Sequence, residues 1–222
     1  MRRPAVLCAL PEELAPLTGF ARRERVVAGL TLVELDLAGP EDGVLACVTG
    51  VGKVYAARAA AILCAEGASA LLVAGVCGGL SSGFEPGVLA HCTSAVQSDL
   101  WLRAGRSADA DPTLFAAWSA VAAGRAARFL TADRAVFHPL RSLRLRRRHA
   151  GPCVADMETA AIGVVAASAG VPWAALRAVT DRPIWRNNGQ GFRAHFPVQA
   201  GRAAETIPAL LARLGGVDRS SE

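Results

Sequence analysis

The stretch Val154-Ala155-Asp156-Met157-Glu158-Thr159-Ala160-Ala161 decides how this chain is read. Glu158, preceded by Met157, stands at the head of an Ala/Val-rich helical pattern over residues 157–169. A carboxylate at a buried helix start is costly unless something nearby uses it. Further along, an apolar strand over residues 173–180 runs into Thr180-Asp181. A second acid therefore emerges at the carboxyl end of a strand, where open α/β sheets bind their ligands. Acids delivered in these two ways predict a cleft with acid–base chemistry.

Outward from that stretch, strand-like and helix-like patterns alternate. Strands are expected over 5–10, 30–37, 44–48, 71–74, 87–96, 126–131 and 173–180, and helices over 53–66, 112–123, 139–148, 157–169 and 198–214. Glu12-Glu13 mark the acidic start of a further amphipathic helix. The turn residues Gly39-Pro40-Glu41-Asp42-Gly43 make a hairpin of 30–37 and 44–48. This mixture predicts a three-layer α/β/α domain with a mixed central sheet. With no internal repeat or linker, residues 1–214 read as a single domain and 215–222 as a frayed tail.

Composition narrows the classes. The chain has 222 residues, enough for one full-sized core, and 52% of them are hydrophobic. No apolar run reaches the roughly 18 residues of a membrane helix. The N-terminal run Arg2-Arg3-Pro4-Ala5-Val6-Leu7-Cys8-Ala9-Leu10 imitates a signal peptide. Pro11-Glu12-Glu13 cuts it short, so it reads as a buried first strand. The six cysteines show no metal-ligand spacing and sit in apolar surroundings, which predicts reduced thiols, no metal and a cytoplasmic protein. The net charge of +5 is almost wholly arginine. Its densest run, residues 141–149, lacks interleaved aromatics and reads as a solvated helix face rather than a nucleic-acid patch.

Two glycine-rich segments allow backbone N–H groups to approach a ligand closely, Thr49-Gly50-Val51-Gly52-Lys53 and Gly75-Val76-Cys77-Gly78-Gly79. Neither has the spacing of a phosphate loop or a dinucleotide fingerprint, and each reads as a tight strand-to-helix turn.

These two segments, Asp156-Met157-Glu158-Thr159-Ala160-Ala161 and Arg177-Ala178-Val179-Thr180-Asp181 together resemble the purine nucleoside phosphorylase/uridine phosphorylase superfamily. Within it, the pattern is similar to the 5'-methylthioadenosine/S-adenosylhomocysteine nucleosidases. The resemblance implies a partly barrel-like sheet, a homo-oligomer and cleavage of a nucleoside N-glycosidic bond without a cofactor. It assigns Asp181 to protonate the departing base and Glu158 to hold the ribose hydroxyls, with Met157 packed on the sugar. Glu13, with Glu12 next in line, would activate water. Val76, Gly78, Thr180 and the loop residues Ala135, Val136 and Phe137 would border the nucleoside, Phe137 substituting for an aromatic expected at Ala135.

Alternatives stay open at this stage. Arg182, if turned toward Asp181, would lower its pKa and oppose general-acid action. A phosphorylase would need phosphate as co-substrate, with Arg22, Arg23 and Arg103 as trial anion ligands. Futalosine-type hydrolases and hopanoid-associated nucleoside phosphorylases are relatives of the same kind. A catalytically weak nucleoside-binding protein is the reading from a different class.

Overall fold

In the first strand, Ala5 and Leu7 face one apolar layer, while Val6 and Cys8 face another. Period-two alternation with both faces apolar is what a strand covered on both sides requires. The computed structural model describes residues 3–40, 42–102, 105–183 and 189–218. Its strands are β1 (Pro4–Cys8), β2 (Ala21–Val27), β3 (Leu30–Leu35), β4 (Val44–Val48), β5 (Ala70–Gly79), β6 (Leu89–Gln97), β7 (Ser107–Asp109), β8 (Arg125–Thr131), β9 (Cys153–Asp156) and β10 (Trp173–Asp181). Its helices are α1 (Pro11–Leu14), α2 (Lys53–Ala65), α3 (Pro112–Val121), α4 (Pro139–Arg148), α5 (Thr159–Ser168), α6 (Gln190–Gln199) and α7 (Ile207–Asp218).

The sheet has a closed part and an open part. β5 pairs in parallel with β10, β10 antiparallel with β6, β6 in parallel with β8, β8 in parallel with β9, and β9 antiparallel with β5, which closes a ring. From β5 the sheet also continues outward through β1, β4, β3 and β2. One apolar layer joins Leu7, Leu45 and Leu71 to Ala59 and Leu63 of α2 and Ile162 of α5. The other joins Val6, Ala46 and Leu72 to Trp118 of α3 and Leu210 of α7. The molecule is a three-layer α/β/α sandwich around a mixed, partly barrel-like sheet.

Several boundaries differ from expectation. The first helix ends after a single turn at Leu14, and residues Ala15–Phe20 form a 3₁₀ segment. Pro16 has no N–H with which to continue an α-helical ladder. β2, β7 and β9 lack sequence signals: β2 is mostly charged and exposed, β7 has 3 residues and β9 has 4. Gly75–Gly79 is not a strand-to-helix turn but the end of β5. Val76 and Cys77 pair with Ala178 and Val179 on one side, and Gly78 and Gly79 with Ala155 and Val154 on the other. Pairing on both edges overrides glycine's turn preference. The single closing helix expected over 198–214 is two helices, α6 and α7, separated by the 3₁₀ turn Ala204–Thr206. Helix α7 continues past Leu214 through Asp218, and residues 219–222 lie outside the described residues. All six cysteines are free thiols. The basic run occupies α4, whose arginines 144, 146, 147 and 148 are exposed while Leu145 is buried.

Candidate active site

Strand ends converge on one cavity of about 240 Å³. The short β5–β9 pairing, Gly78↔Ala155 and Gly79↔Val154, sets Asp156-Met157-Glu158 beside Val76-Cys77-Gly78. The register of β10 on β5, Val179↔Cys77 and Asp181↔Gly78, brings Thr180 and Asp181 to the same place. The chain leaving β1 adds Ala9, Leu10 and Glu13, and the loop after β8 adds Ala135, Val136 and Phe137. Val51 comes from the segment before α2 and Phe192 from α6.

Glu13 is buried and accepts three backbone hydrogen bonds. Ala9 N and Leu10 N donate to Oε2 at 2.7 and 3.0 Å, and Val76 N donates to Oε1 at 2.9 Å. Gly75 is required here, because a Cβ at that position would lie 2.5 Å from Glu13 Oε1. Burial pushes the Glu13 carboxyl above its ordinary range, while Arg177 and the three amides pull it back. The opposing effects leave a carboxylate held in place yet able to take a proton.

Arg177 is the organising cation. Although it sits in the middle of an apolar strand, only 2% of it is exposed. Its Nε lies 3.1 Å from Asp156 Oδ2 and 3.0 Å from Thr159 Oγ1, and its two terminal nitrogens reach Glu158 Oε2 at 3.1 Å and the Val76 carbonyl at 2.9 Å. Buried charges persist when paired and hydrogen-bonded in this way. Asp156 also caps α5 by accepting from Thr159 N at 3.1 Å, and Thr131 Oγ1 accepts from Ala160 N at 2.9 Å. Glu158 is thus released from capping, and its side chain makes no cap bond. Instead Oε1 accepts from Gly52 N at 2.9 Å, where Gly52 adopts φ 101°, a conformation that favours glycine. Burial raises the Glu158 carboxyl, opposed first by Arg177.

Asp181 is buried, and burial holds its carboxyl above the usual range. Thr180 and then His195 draw it back. Thr180 Oγ1 lies 2.9 Å from Asp181 Oδ1 and 3.2 Å from the Cys77 carbonyl. The Thr180 hydroxyl, donating to Asp181, favours the ionised carboxylate, while burial favours the protonated acid and outweighs it. Arg182 does not oppose this: it forms an ion pair with Glu85.

Of the residues expected at the site, Glu13, Val76, Gly78, Ala135, Val136, Phe137, Met157, Glu158, Thr180 and Asp181 all line the cavity. Glu12 does not. It is exposed on the outer side of α1, because one turn of helix cannot point adjacent side chains the same way. Arg22 pairs with Asp36 at the surface, Arg23 is exposed on β2, and Arg103 lies outside the described residues. Arg177, Asp156 and Phe192 were not anticipated. The available signal for the first two was charge inside strands whose neighbours are all apolar. Phe192 had none, since its helix begins just after an αL glycine, Gly189. That glycine lies close to Phe137, a Cβ built on it falling 3.7 Å from the ring, and Phe137 and Phe192 both border the cavity. Among the described residues no group of three His, Cys, Asp or Glu side chains could hold a metal ion.

Known proteins share this architecture. The S-adenosylhomocysteine nucleosidase of Streptococcus pyogenes, solved with 5-methylthiotubericidin, superposes with a TM-score of 0.87 at 24% identity, covering 96% of this chain and 97% of its own. The 5'-methylthioadenosine/S-adenosylhomocysteine nucleosidase of Neisseria meningitidis, solved with methylthio-immucillin-A, gives 0.87 at 21%, covering 96% and 99%. The futalosine hydrolase of Helicobacter pylori gives 0.82 at 20%, covering 98% of both chains. No curated protein sequence matches the chain. The family model of the phosphorylase superfamily matches residues 3–214, and the chain belongs to that superfamily.

Proposed function

We propose that the protein is an N-ribosyl hydrolase that cleaves the glycosidic bond of an adenosine-derived nucleoside with a modified 5' position, releasing the free base. The observation that carries this reading is the placement of Glu13 and Asp181 in one cavity. Their neighbours on β5, Val76 and Gly78, are two residues apart, about 7 Å of extended strand, which leaves room for a ribosyl group between them. Protonated Asp181 gives its proton to the base nitrogen as the C1'–N bond breaks and its electron pair leaves with the base. Glu158, held by Gly52 N and Arg177, accepts from the ribose hydroxyls and stabilises positive charge developing on the sugar. Water adds to C1', and Glu13 takes the proton that the water loses. Phe137 and Phe192 supply apolar surface, and Leu10 and Val51 give the cavity further apolar wall.

Hydrolysis is favoured over phosphorolysis by the charge in the cavity. Among the described lining residues the one cation is Arg177, and it is occupied by Asp156 and Glu158. A phosphate dianion placed there would meet carboxylates. The nucleosidase and futalosine hydrolase structures of the same fold agree with this choice. We further place the protein as a homo-oligomer, since Val54, Tyr55, Trp101 and Leu102 are exposed apolar side chains and Val54 and Tyr55 follow closely on the cavity residue Val51.

The test is a panel of methylthioadenosine, S-adenosylhomocysteine, adenosine, inosine and futalosine, with free base measured chromatographically in the presence and absence of phosphate. Release of base without phosphate, lowered about 10²-fold or more in Glu13→Gln and in Asp181→Asn, is the expected result. Release that depends on phosphate would replace hydrolysis with phosphorolysis. Tight binding with no release from any substrate would leave a nucleoside-binding protein.

A further inference from the structure

Helix α2 opens with Lys53, the single lysine of the chain. A cation in the first turn of a helix opposes the helix dipole, so partners elsewhere must hold it there. Two are present. Its Nζ lies 2.8 Å from Asp99 Oδ1, in the loop after β6, and 3.2 Å from Asp133 Oδ2, in the loop after β8. Asp99 also binds the second loop directly, its Oδ2 accepting from Asp133 N at 2.8 Å. An ammonium suits this place, because its three donors radiate from a point charge and can serve carboxylates arriving from two loops. Burial works against the charges of Asp99 and Lys53, but their hydrogen bond outweighs it and holds Asp99 below and Lys53 above its ordinary range.

Lys53 does not line the cavity, yet both ends of its bridge adjoin residues that do. Directly before it, Gly52 N donates to Glu158 Oε1, and Val51 borders the cavity. Two residues beyond Asp133 the chain reaches Ala135, Val136 and Phe137, which border the same cavity. At the start of this loop, the Thr131 hydroxyl donates to Asp156 and accepts from Ala160 N, which fixes the end of β8. Further along, Arg141 of α4 reaches the Ala135 carbonyl at 3.4 Å. The bonds through Asp133 are the shorter ties on the part of the loop that meets the cavity.

We propose that Lys53 is a positioning residue for the nucleoside: through Asp99 and Asp133 it holds residues 133–137 in register with the Gly52–Glu158 contact. The apolar wall around Phe137 and the carboxylate that holds the sugar then grip one nucleoside together. Lys53 acts through these groups and touches neither the sugar nor the base. This assignment rests on the reading that places a nucleoside in the cavity, and measuring binding apart from turnover keeps the two separable.

The experiment combines kinetics of base release, using the nucleoside that the wild type cleaves, with calorimetric binding of the free base it releases, or of adenine if it releases none. Lys53→Met keeps the length of the side chain and removes its charge. It should raise KM and the Kd of the free base about tenfold, while kcat changes less than about threefold. Asp99→Asn should do the same, and the double variant should be no worse than the poorer single one, because the groups act as one unit. The Tm should fall by no more than about 4 °C, since ion pairs with partly exposed partners contribute little stability. Molecular mass by light scattering should not change. A lower Tm with unchanged KM and Kd, losses that multiply in the double variant, a loss confined to kcat, or a loss accompanied by a change in mass would each overturn the role of Lys53. A wild type that binds base but releases none would overturn the hydrolase reading, and the rise in Kd would then decide the role of Lys53. A wild type that binds neither nucleoside nor base would overturn both.

Discussion

Arginine–carboxylate pairs occur in two regions of the molecule, with similar geometry and different consequences. On the open wing of the sheet, Arg3 and Arg25 meet Glu34, and Arg25 also reaches Glu66, with side chains 27 to 32% exposed. In the closed ring, Arg177 meets Asp156 and Glu158 at 3.1 Å with side chains 5% exposed or less. Water screens the first set and can replace either partner. In the second set burial keeps water away, and the other partners of Arg177, the Thr159 hydroxyl and the Val76 carbonyl, are neutral and cannot replace a missing charge. The same pairing chemistry is thus a surface detail in one region and a structural condition of the site in the other.

The contrast can be broken most forcefully at its buried end. Arg177→Gln leaves Asp156 and Glu158 without their cation, and the expected loss is about 3–5 kcal/mol of stability. For a chain of this size that lowers the Tm by roughly 10 °C, read by thermal denaturation. Base release should vanish as well, since Glu158 loses the partner at its Oε2. A variant as stable as wild type would show that the Arg177 network is not a condition of stability.

A second comparison uses pH. Burial raises the native pKa of Asp181, so the folded protein binds this proton more readily than the unfolded chain does. The associated stability is fully present below the ordinary Asp value and is lost as pH rises through the raised native one. Asp181→Asn carries no charge and should escape the loss. The variant should therefore be more stable than wild type above neutral pH, with the gap closing as pH falls toward the ordinary Asp range. Denaturant melts at several pH values check it, and a gap that widens on acidification would contradict the raised pKa. The smallest effect belongs to the surface: Arg25→Gln should cost less than about 1 kcal/mol, and the difference should shrink in high salt.

The acids were legible because of where they stand along the chain. Asp181 ends an apolar strand and Glu158 stands at the head of an Ala/Val-rich helix, whereas Glu13, in an acidic helix start after the first strand, was singled out by the family resemblance. Each breaks an apolar pattern at its end, where open α/β sheets place ligands. Residue pattern alone did not separate Glu12 from Glu13; the family resemblance put Glu13 first, and the turn of α1 assigns Glu13 to the interior and Glu12 to the surface. The glycine segment at 75–79 misled in a different way. Its turn composition was read locally, whereas a neighbouring strand on each edge keeps it extended.

What residue order determined is therefore the succession of strands and helices, the apolar alternation that sandwiches the sheet, and the acids carried at its ends. These follow from local periodicity and from the cost of placing a charge in an apolar stretch. Only the tertiary structure decided that Arg177, from the interior of β10, meets Asp156 at the end of β9 and Glu158 at the head of α5, that Arg182 pairs with Glu85, and that α6 brings Phe192 to the cavity. Those contacts join residues far apart in the chain through the closure of the β5–β9–β8–β6–β10 ring. Closure depends on strand pairing across the whole sheet, which no local pattern encodes.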